Sequence, residues 1–326
     1  MRKTRKFYST KLGTLLLGNS YEALKSGALK KYEGKVNLII TSPPFPLNNK
    51  KKYGNLNGEE YKEWFLSLAP LFEKLLTKDG SVVLEIGNAW EPNRPVQSLL
   101  HLECLLGFVK NSKLRLIQEF ICYNPSRLPS PAQWVTVNRI RTVDSYTHIW
   151  WMSKSDFPKA NNENVLRPYS KSMESLLRTK KFNSGTRPSE HRISEKGFLK
   201  NNGGSIAHNL FELEAIDVNR EVRLPFNTLS FSNTSSNDLY LKQCRKHNIL
   251  PHPARMHAGV VDFFLRFLTD EKDLVFDPFA GSNTTGAIAE TLKRKWLCME
   301  IDHEFADQST YRFETPSLKR NLKIYL

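Results

Sequence analysis

The segment Leu274-Val275-Phe276-Asp277-Pro278-Phe279-Ala280-Gly281-Ser282-Asn283-Thr284-Thr285-Gly286 settles the architecture of this chain. An apolar run of strand type is followed by a Gly-containing turn, and a helix opens at Thr284. A strand-turn-helix unit of this kind belongs to α/β folds, which bind ligands at the carboxyl ends of their strands. The turn is not G-x-G-x-x-G, and it lacks the Gly-Lys-Ser/Thr of a phosphate loop, so it is not built to cradle a pyrophosphate or triphosphate. It offers a carboxylate, close backbone approach at Gly281, and hydroxyl and amide side chains suited to a zwitterionic amino-acid tail. Taken alone, it is a weak signal, and a tight strand-to-helix connection is the plainer reading.

Downstream, Trp296-Leu297-Cys298-Met299-Glu300 is the next strand, and its final Glu300 lies 19 residues after Gly281. An acid there can accept hydrogen bonds from both hydroxyls of a ribose. Turn and acid together describe a nucleoside ligand without phosphates, and S-adenosylmethionine meets that description. Upstream, Val260, Val261, Phe263, Phe264, Leu265 and Leu268 predict a helix. Between about 156 and 250 the periodicity fades into Asn-, Ser-, Lys- and Gly-rich sequence, an insertion or a small second domain.

From about 12 to 155 short apolar runs alternate with amphipathic ones, again as in an α/β fold. Leu15 to Leu17, Leu38 to Ile40, Ser81 to Ile86, Phe120 to Tyr123 and His148 to Met152 read as strands. Phe65, Leu68, Leu71, Phe72, Leu75 and Leu76 recur at helical spacing, with Lys78-Asp79-Gly80 as the helix end. The residues after Glu314 read as a polar, basic surface tail.

Directly after Ile40 stands Thr41-Ser42-Pro43-Pro44-Phe45. Two consecutive prolines fix two φ angles and remove two N–H donors, leaving a stiff turn that presents carbonyl acceptors beside a hydroxyl. That chemistry suits an exocyclic amine. The amino nitrogen of a nucleobase is a poor nucleophile because its lone pair is delocalised into the ring. Accepting both N–H bonds, at Ser42 Oγ and the Pro43 carbonyl, favours a pyramidal nitrogen whose lone pair faces an electrophilic methyl. Phe45 supplies a face on which an extruded base can stack. In isolation, Ser-Pro-Pro is also an ordinary loop.

Composition narrows the function classes. The chain of 326 residues has 48 Lys and Arg against 33 acids, a formal charge of +15, which points to a partner dense in phosphate. Residues 1–11 hold five of these basic residues and no acid, and residues 159–204 carry a local +6, polar segments suited to tracking a nucleic-acid backbone. No apolar run approaches the length of a membrane span, and the basic start lacks the apolar core of a signal peptide. Cys104, Cys122, Cys244 and Cys298 form no Cys-x-x-Cys pair and fit reduced thiols of the cytoplasm. Cys244, His247, His252 and His257 are spaced for a metal, but two prolines interrupt the series and a single cysteine is unusual for structural zinc, so no metal is expected.

A cofactor turn without phosphate chemistry and a clamp for a base amine are the two halves of one methyl transfer. With them stand Lys51-Lys52-Tyr53-Gly54-Asn55-Leu56, Tyr123-Asn124-Pro125-Ser126, Leu128-Pro129-Ser130-Pro131, Ile149-Trp150-Trp151, Thr186-Arg187-Pro188-Ser189, Asn202 to Ile206 and His252-Pro253-Ala254-Arg255. On these stretches the sequence resembles the β-group amino DNA methyltransferases. In this circularly permuted class the Ser-Pro-Pro-Phe motif precedes the target-recognition region, and the cofactor motif follows it. The resemblance implies a Rossmann-like methyltransferase fold, a mostly parallel sheet of seven strands. Its catalytic half would be residues 12–155, its S-adenosylmethionine half 251–326, and its inserted target-recognition domain 156–250.

It further implies Ser42, Pro43, Pro44 and Phe45 as the catalytic motif, and Asp277, Phe279, Gly281, Ser282, Asn283, Thr284 and Glu300 as the cofactor pocket. Lys50, Lys51 and Lys52 could hold phosphates beside an extruded nucleotide. Ser rather than Asn or Asp before Pro-Pro favours cytosine N4 as the target. Adenine N6 methylation and a catalytically silent DNA-binding protein of the same fold are the alternatives. The implied partners are double-stranded DNA and a cognate restriction endonuclease that is not a stable subunit, in a prokaryotic cytoplasm. Two departures stand out: Asn19 where relatives often carry Asp, and His257 where a proline is usual.

Overall fold

The computed structural model describes residues 4–45, 58–181, 185–186, 188–190, 192–193, 199–214, 229–232, 238–315 and 322–325. Its strands are β1 (Arg5–Ser9), β2 (Gly13–Leu17), β3 (Val36–Thr41), β4 (Leu76–Gly87), β5 (Arg115–Tyr123), β6 (Tyr146–Ser153), β7 (Gly185–Thr186), β8 (Arg192–Ile193), β9 (Leu210–Glu214), β10 (Leu229–Ser232), β11 (Leu274–Asp277), β12 (Lys295–Glu300) and β13 (Lys323–Ile324). The helices are α1 (Ser20–Lys25), α2 (Gly58–Leu75), α3 (Leu100–Lys110), α4 (Lys171–Thr179), α5 (Leu239–Lys246), α6 (Ala258–Leu268), α7 (Thr284–Thr291) and α8 (His303–Ser309).

Among the described residues, eleven strands build one sheet in the order β10-β9-β5-β6-β4-β3-β11-β12-β2-β1-β13, and β7 pairs only with β8. The inner run from β5 to β2 is the mostly parallel seven-stranded sheet that the sequence implies, with β6 alone running against the rest. β9 and β10 lengthen it at one edge, β1 and β13 at the other. β2 and β3 follow each other in the chain, yet β11 and β12 lie between them.

Strand alternation feeds both faces. Leu38, Ile40, Val83, Trp296 and Cys298 join the core under α6, α7 and α8, while Ile39, Val82, Leu84, Leu297 and Met299 join the core under α1, α2 and α3. In α2, Tyr61, Phe65, Leu68, Ala69, Phe72 and Leu75 fall on one face and are buried, as helical periodicity requires.

Three local expectations need correction. The helix ends at Leu75 and β4 begins at Leu76, so Lys78-Asp79-Gly80 lies inside an irregular strand rather than ending the helix. There a Cβ on Gly80 would stand 2.9 Å from the Val36 carbonyl oxygen. The basic segment 1–11 is more than a polar arm, because β1 turns Phe7 and Tyr8 into the core. Of the stretch after Glu314, β13 is exposed at the surface but is not a loose tail, since it pairs with β1 through Tyr8 and Ile324. Among the described residues no helix is long and apolar enough to cross a membrane.

Candidate active site at the carboxyl edge of the sheet

The carboxyl ends of β2, β3, β4, β11 and β12 open on a cleft of about 400 Å³. The Ser-Pro-Pro turn after β3 stands on one side, and the Asp277–Thr285 turn after β11 on the other. Asp277 joins the two: Oδ1 accepts from Thr41 Oγ1 at 2.6 Å and from the Phe279 N–H at 3.1 Å, and Oδ2 accepts from Thr285 Oγ1 at 2.7 Å. Burial pushes its carboxyl up to about 6, against the pull of these three donors.

Ser42 lies at the mouth, where Oγ donates to the Glu85 carbonyl at 3.3 Å. With its proton directed there, the hydroxyl keeps lone pairs for an incoming donor. The Phe45 ring meets Tyr61 edge-on at 5.7 Å, so an aromatic neighbour fixes the stacking face. Across the cleft, the Phe279 ring lies 5.7 Å from Trp64.

Gly281 adopts φ +51°, and a Cβ there would stand 2.9 Å from the His252 ring, so backbone shape and space both require glycine. Its N–H donates to Glu300 Oε2 at 2.8 Å, while Oε1 accepts from the Ile301 and Asp302 N–H groups at 2.9 and 2.8 Å. Three of the roughly four acceptor positions of a carboxylate are thus filled, leaving one for a ligand hydroxyl rather than two. Burial raises this carboxyl to about 7 even with the three backbone donors.

A family model described as DNA methylase, of the N6 and N4 type, matches residues 36–311. The chain belongs to this DNA methylase family. The type II methyltransferase M.PvuII of Proteus hauseri is 40% identical over 308 residues, covering 94% of this chain and 85% of the relative. A solved structure of PvuII DNA methyltransferase (cytosine-N4-specific) shares the fold at a TM-score of 0.71 and 34% identity, covering 96% of this chain and 91% of that one. M1.HpyAVI in complex with SAM matches in fold at a TM-score of 0.51 and 15% identity, over 93% of this chain and 100% of that one.

Most residues singled out in the sequence line the methylase's cleft: Ser42, Pro43, Pro44 and Phe45, and Asp277, Phe279, Gly281, Ser282, Thr284 and Glu300. Asn283 does not. In a left-handed conformation at φ +53°, it caps α7 by accepting from the Gly286 N–H at 2.9 Å and donates to Tyr8 Oη at 2.7 Å. Its side chain is fully buried away from the cleft. Lys50, Lys51 and Lys52 lie outside the described residues.

The two departures have local explanations. Asn19 caps α1 by accepting from the Glu22 N–H at 3.2 Å while standing on the cleft wall, so an amide keeps the cap that an acid would form. His257 caps α6, its Nδ1 accepting from the Gly259 N–H at 3.1 Å. The other members of the Cys/His series are engaged separately: Cys244 is buried, His247 stacks on Tyr311, and His252 packs edge-on against Phe305 at 4.4 Å.

Sequence reasoning missed Asn88, Arg127 and Arg255, which also line the cleft. It missed Arg312 too, which grips the Ser282 carbonyl at 2.7 Å and its Oγ at 2.9 Å while its guanidinium covers the Tyr240 ring at 4.7 Å. These four come from separate parts of the chain and carry no shared spacing.

Proposed function

We propose that this methylase transfers a methyl group from S-adenosylmethionine to the exocyclic N4 amine of a cytosine flipped out of duplex DNA. It would serve as the modification enzyme paired with a restriction endonuclease of the same site, which is a partner in function and not a subunit. One observation carries the reading: through Thr41 and Thr285, Asp277 fixes the amine clamp and the phosphate-free cofactor turn to one cleft. The similarity to the cytosine-N4-specific PvuII methyltransferase over 96% of the chain supports cytosine N4, as does Ser42 at the head of the Pro-Pro motif.

The cleft fits the methyl donor in size, within the range of small-molecule pockets. The remaining acceptor position on Glu300 suits a ribose hydroxyl, and the apolar Phe279 and Ile301 suit a flat heterocycle. When bound, S-adenosylmethionine supplies an electrophilic methyl on a positively charged sulfur. Ser42 Oγ takes one N–H of the target amine and the Pro43 carbonyl takes the other, which holds the nitrogen pyramidal and eases the positive charge developing on it. Phe45 stacks on the extruded ring, worth about 1–3 kcal/mol. The surplus proton leaves the amine for water at the open mouth. No covalent adduct with the protein is needed.

In this reading residues 12–155 and 251–326 are two halves of one catalytic core, and 156–250 make up most of the target-recognition domain. The interleaving of β2 and β3 with β11 and β12 supports the first assignment. The +6 of residues 159–204 supports the second. The enzyme would work in the cytoplasm, on the DNA.

The test is to incubate the purified chain with labelled S-adenosylmethionine and duplexes covering all short sequences, digest the DNA, and identify the methylated nucleoside by mass. N4-methylcytidine is expected as the deoxynucleoside. Methylated deoxyadenosine would move the target to adenine N6, and unmodified DNA would leave the fold without this activity.

A further inference from the structure

The amino-terminal edge of the sheet, opposite the cleft, carries a second cavity of about 650 Å³ lined by Lys6, Lys11, Lys31, Lys35, Lys272 and Lys295. No carboxylate lines it. All six lysines are exposed, and among the described residues none pairs with an acid. Lys35 donates to the Lys31 carbonyl at 2.8 Å, Lys6 donates to Tyr325 Oη at 2.9 Å, and Lys31 lies 4.9 Å over the Tyr32 ring. The acids that flank Lys272 are engaged elsewhere: Glu271 with Lys293 at 3.1 Å and Asp273 with Lys159 at 2.7 Å. Glu33, between Lys31 and Lys35, and Glu290, which accepts from Thr10 and Trp296 behind the cavity wall, are the other nearby acids, and six lysines outnumber them. A cluster with such an excess of like charge repels itself, and an external polyanion relieves that repulsion.

The lysines are spread along the edge rather than gathered at a point. Lys11 lies in the turn before β2, Lys31 and Lys35 before β3, Lys272 before β11, and Lys295 at the start of β12. Lys6, on antiparallel β1 opposite Leu16, reaches the edge through its side chain, which bonds Tyr325 beside Ser9. These five strands are neighbours in the sheet, and four spacings of about 4.8 Å make a row roughly 19 Å long. A single phosphate or nucleotide can touch only part of such a row. Ammonium groups on flexible stems are point charges that neutralise backbone phosphates without reading bases.

We propose that this edge is a second binding site for duplex DNA, holding the sugar-phosphate backbone of a segment other than the one in the catalytic cleft. β3 has six residues, which at about 3.3 Å each put the two edges roughly 20 Å apart across the sheet. A duplex of 12 base pairs is about 41 Å long, so distance alone does not part the sites; the two edges lie at opposite ends of the strands, and a straight duplex lying across one does not lie along the other. The methylase holds two segments at once and can pass from one stretch of DNA to another without full release.

The test counts short duplexes, about 12 base pairs long, bound per chain by native mass spectrometry, for the unaltered 326-residue chain and for a Lys31→Glu/Lys35→Glu/Lys295→Glu variant. The unaltered protein binds two duplexes per chain and the variant one. The affinity for the second duplex drops at least tenfold, and its salt slope falls by roughly 2–3, at about 0.9 per lost phosphate contact. Single-turnover methylation of a short duplex is unchanged. A triple Lys→Gln variant keeps the test open should charge reversal disturb folding. One duplex per chain in the unaltered protein, or two in a folded variant, overturns the proposal. So does an edge that takes inorganic tripolyphosphate but never a second duplex. Duplex counting needs no turnover, so a failure here is separable from a failure of the proposed methyl transfer.

Discussion

Thr41 Oγ1 and Asp277 Oδ1, 236 positions apart in the chain, share a fully buried 2.6 Å hydrogen bond between the last residue of β3 and the last residue of β11. Ser42 follows the donor directly, so the amine clamp is tied to the cofactor turn by one side-chain pair. Thr41→Val, close in shape but without the hydroxyl, leaves a buried carboxylate short of a donor. A loss of about 1–3 kcal/mol in denaturant unfolding is expected, together with weaker cofactor binding and slower single-turnover methylation. A variant that lost stability alone would deny the tie a part in the site.

Ser42→Ala removes one acceptor for the target amine and touches nothing that holds the cofactor. Single-turnover methylation should fall about a hundredfold, the usual effect of losing one such electrostatic contact. Calorimetric titration with S-adenosylmethionine should change less than twofold. A variant with full activity would remove the hydroxyl from the chemistry.

Gly281→Ala adds a Cβ 2.9 Å from the His252 ring at a φ of +51°. The strain costs about 1–2 kcal/mol, and cofactor affinity should drop at least tenfold. Adding His252→Ala opens the space but leaves the backbone conformation unfavourable, so it should restore only part of the affinity. Complete recovery in the double variant would make the ring contact the whole of the effect.

Asp277 and Glu300 set a pH trend. Burial raises their carboxyls to about 6 and about 7, above the ordinary values of about 4. The fold therefore binds these protons more tightly than the unfolded chain does. Their stabilising contribution is complete below about pH 4 and is lost as pH rises through 6 and 7. Thermal melts of Glu300→Gln from pH 5 to 8 should show a flatter fall than the unaltered protein. An identical slope would mean that Glu300 titrates normally.

Tyr8→Phe removes the acceptor of the Asn283 amide and the hydroxyl bonded to Ser309 at 2.9 Å. A loss of about 1–3 kcal/mol in unfolding is expected, with methylation per folded molecule retained, because both partners sit away from the cleft.

What could be read from the sequence follows the range of the interactions involved. β3, β11 and β12 were legible because their apolar runs end at chemically distinctive residues, Thr41-Ser42-Pro43-Pro44, Asp277 and Glu300. β1 was not: Arg5, Lys6 and Lys11 look like a solvated arm, and only pairing with β2 and β13 explains why Phe7 and Tyr8 are buried. Asn283 stood within a cofactor motif, yet a left-handed cap turns its side chain into the core toward Tyr8, which no spacing rule can signal. The occupied oxygens of Glu300 likewise depend on how the backbone turns after β12.

The placement of β11 and β12 between β2 and β3 governs how the molecule is made. A ribosome adding about 5–20 residues per second finishes β3 roughly 12 to 47 seconds before it reaches β11. Throughout that interval the nascent chain carries two bare strand borders, and the cleft has only one wall. Competence for catalysis thus waits for β11 and β12, and a message cut short before β12 yields a chain with no place for the methyl donor.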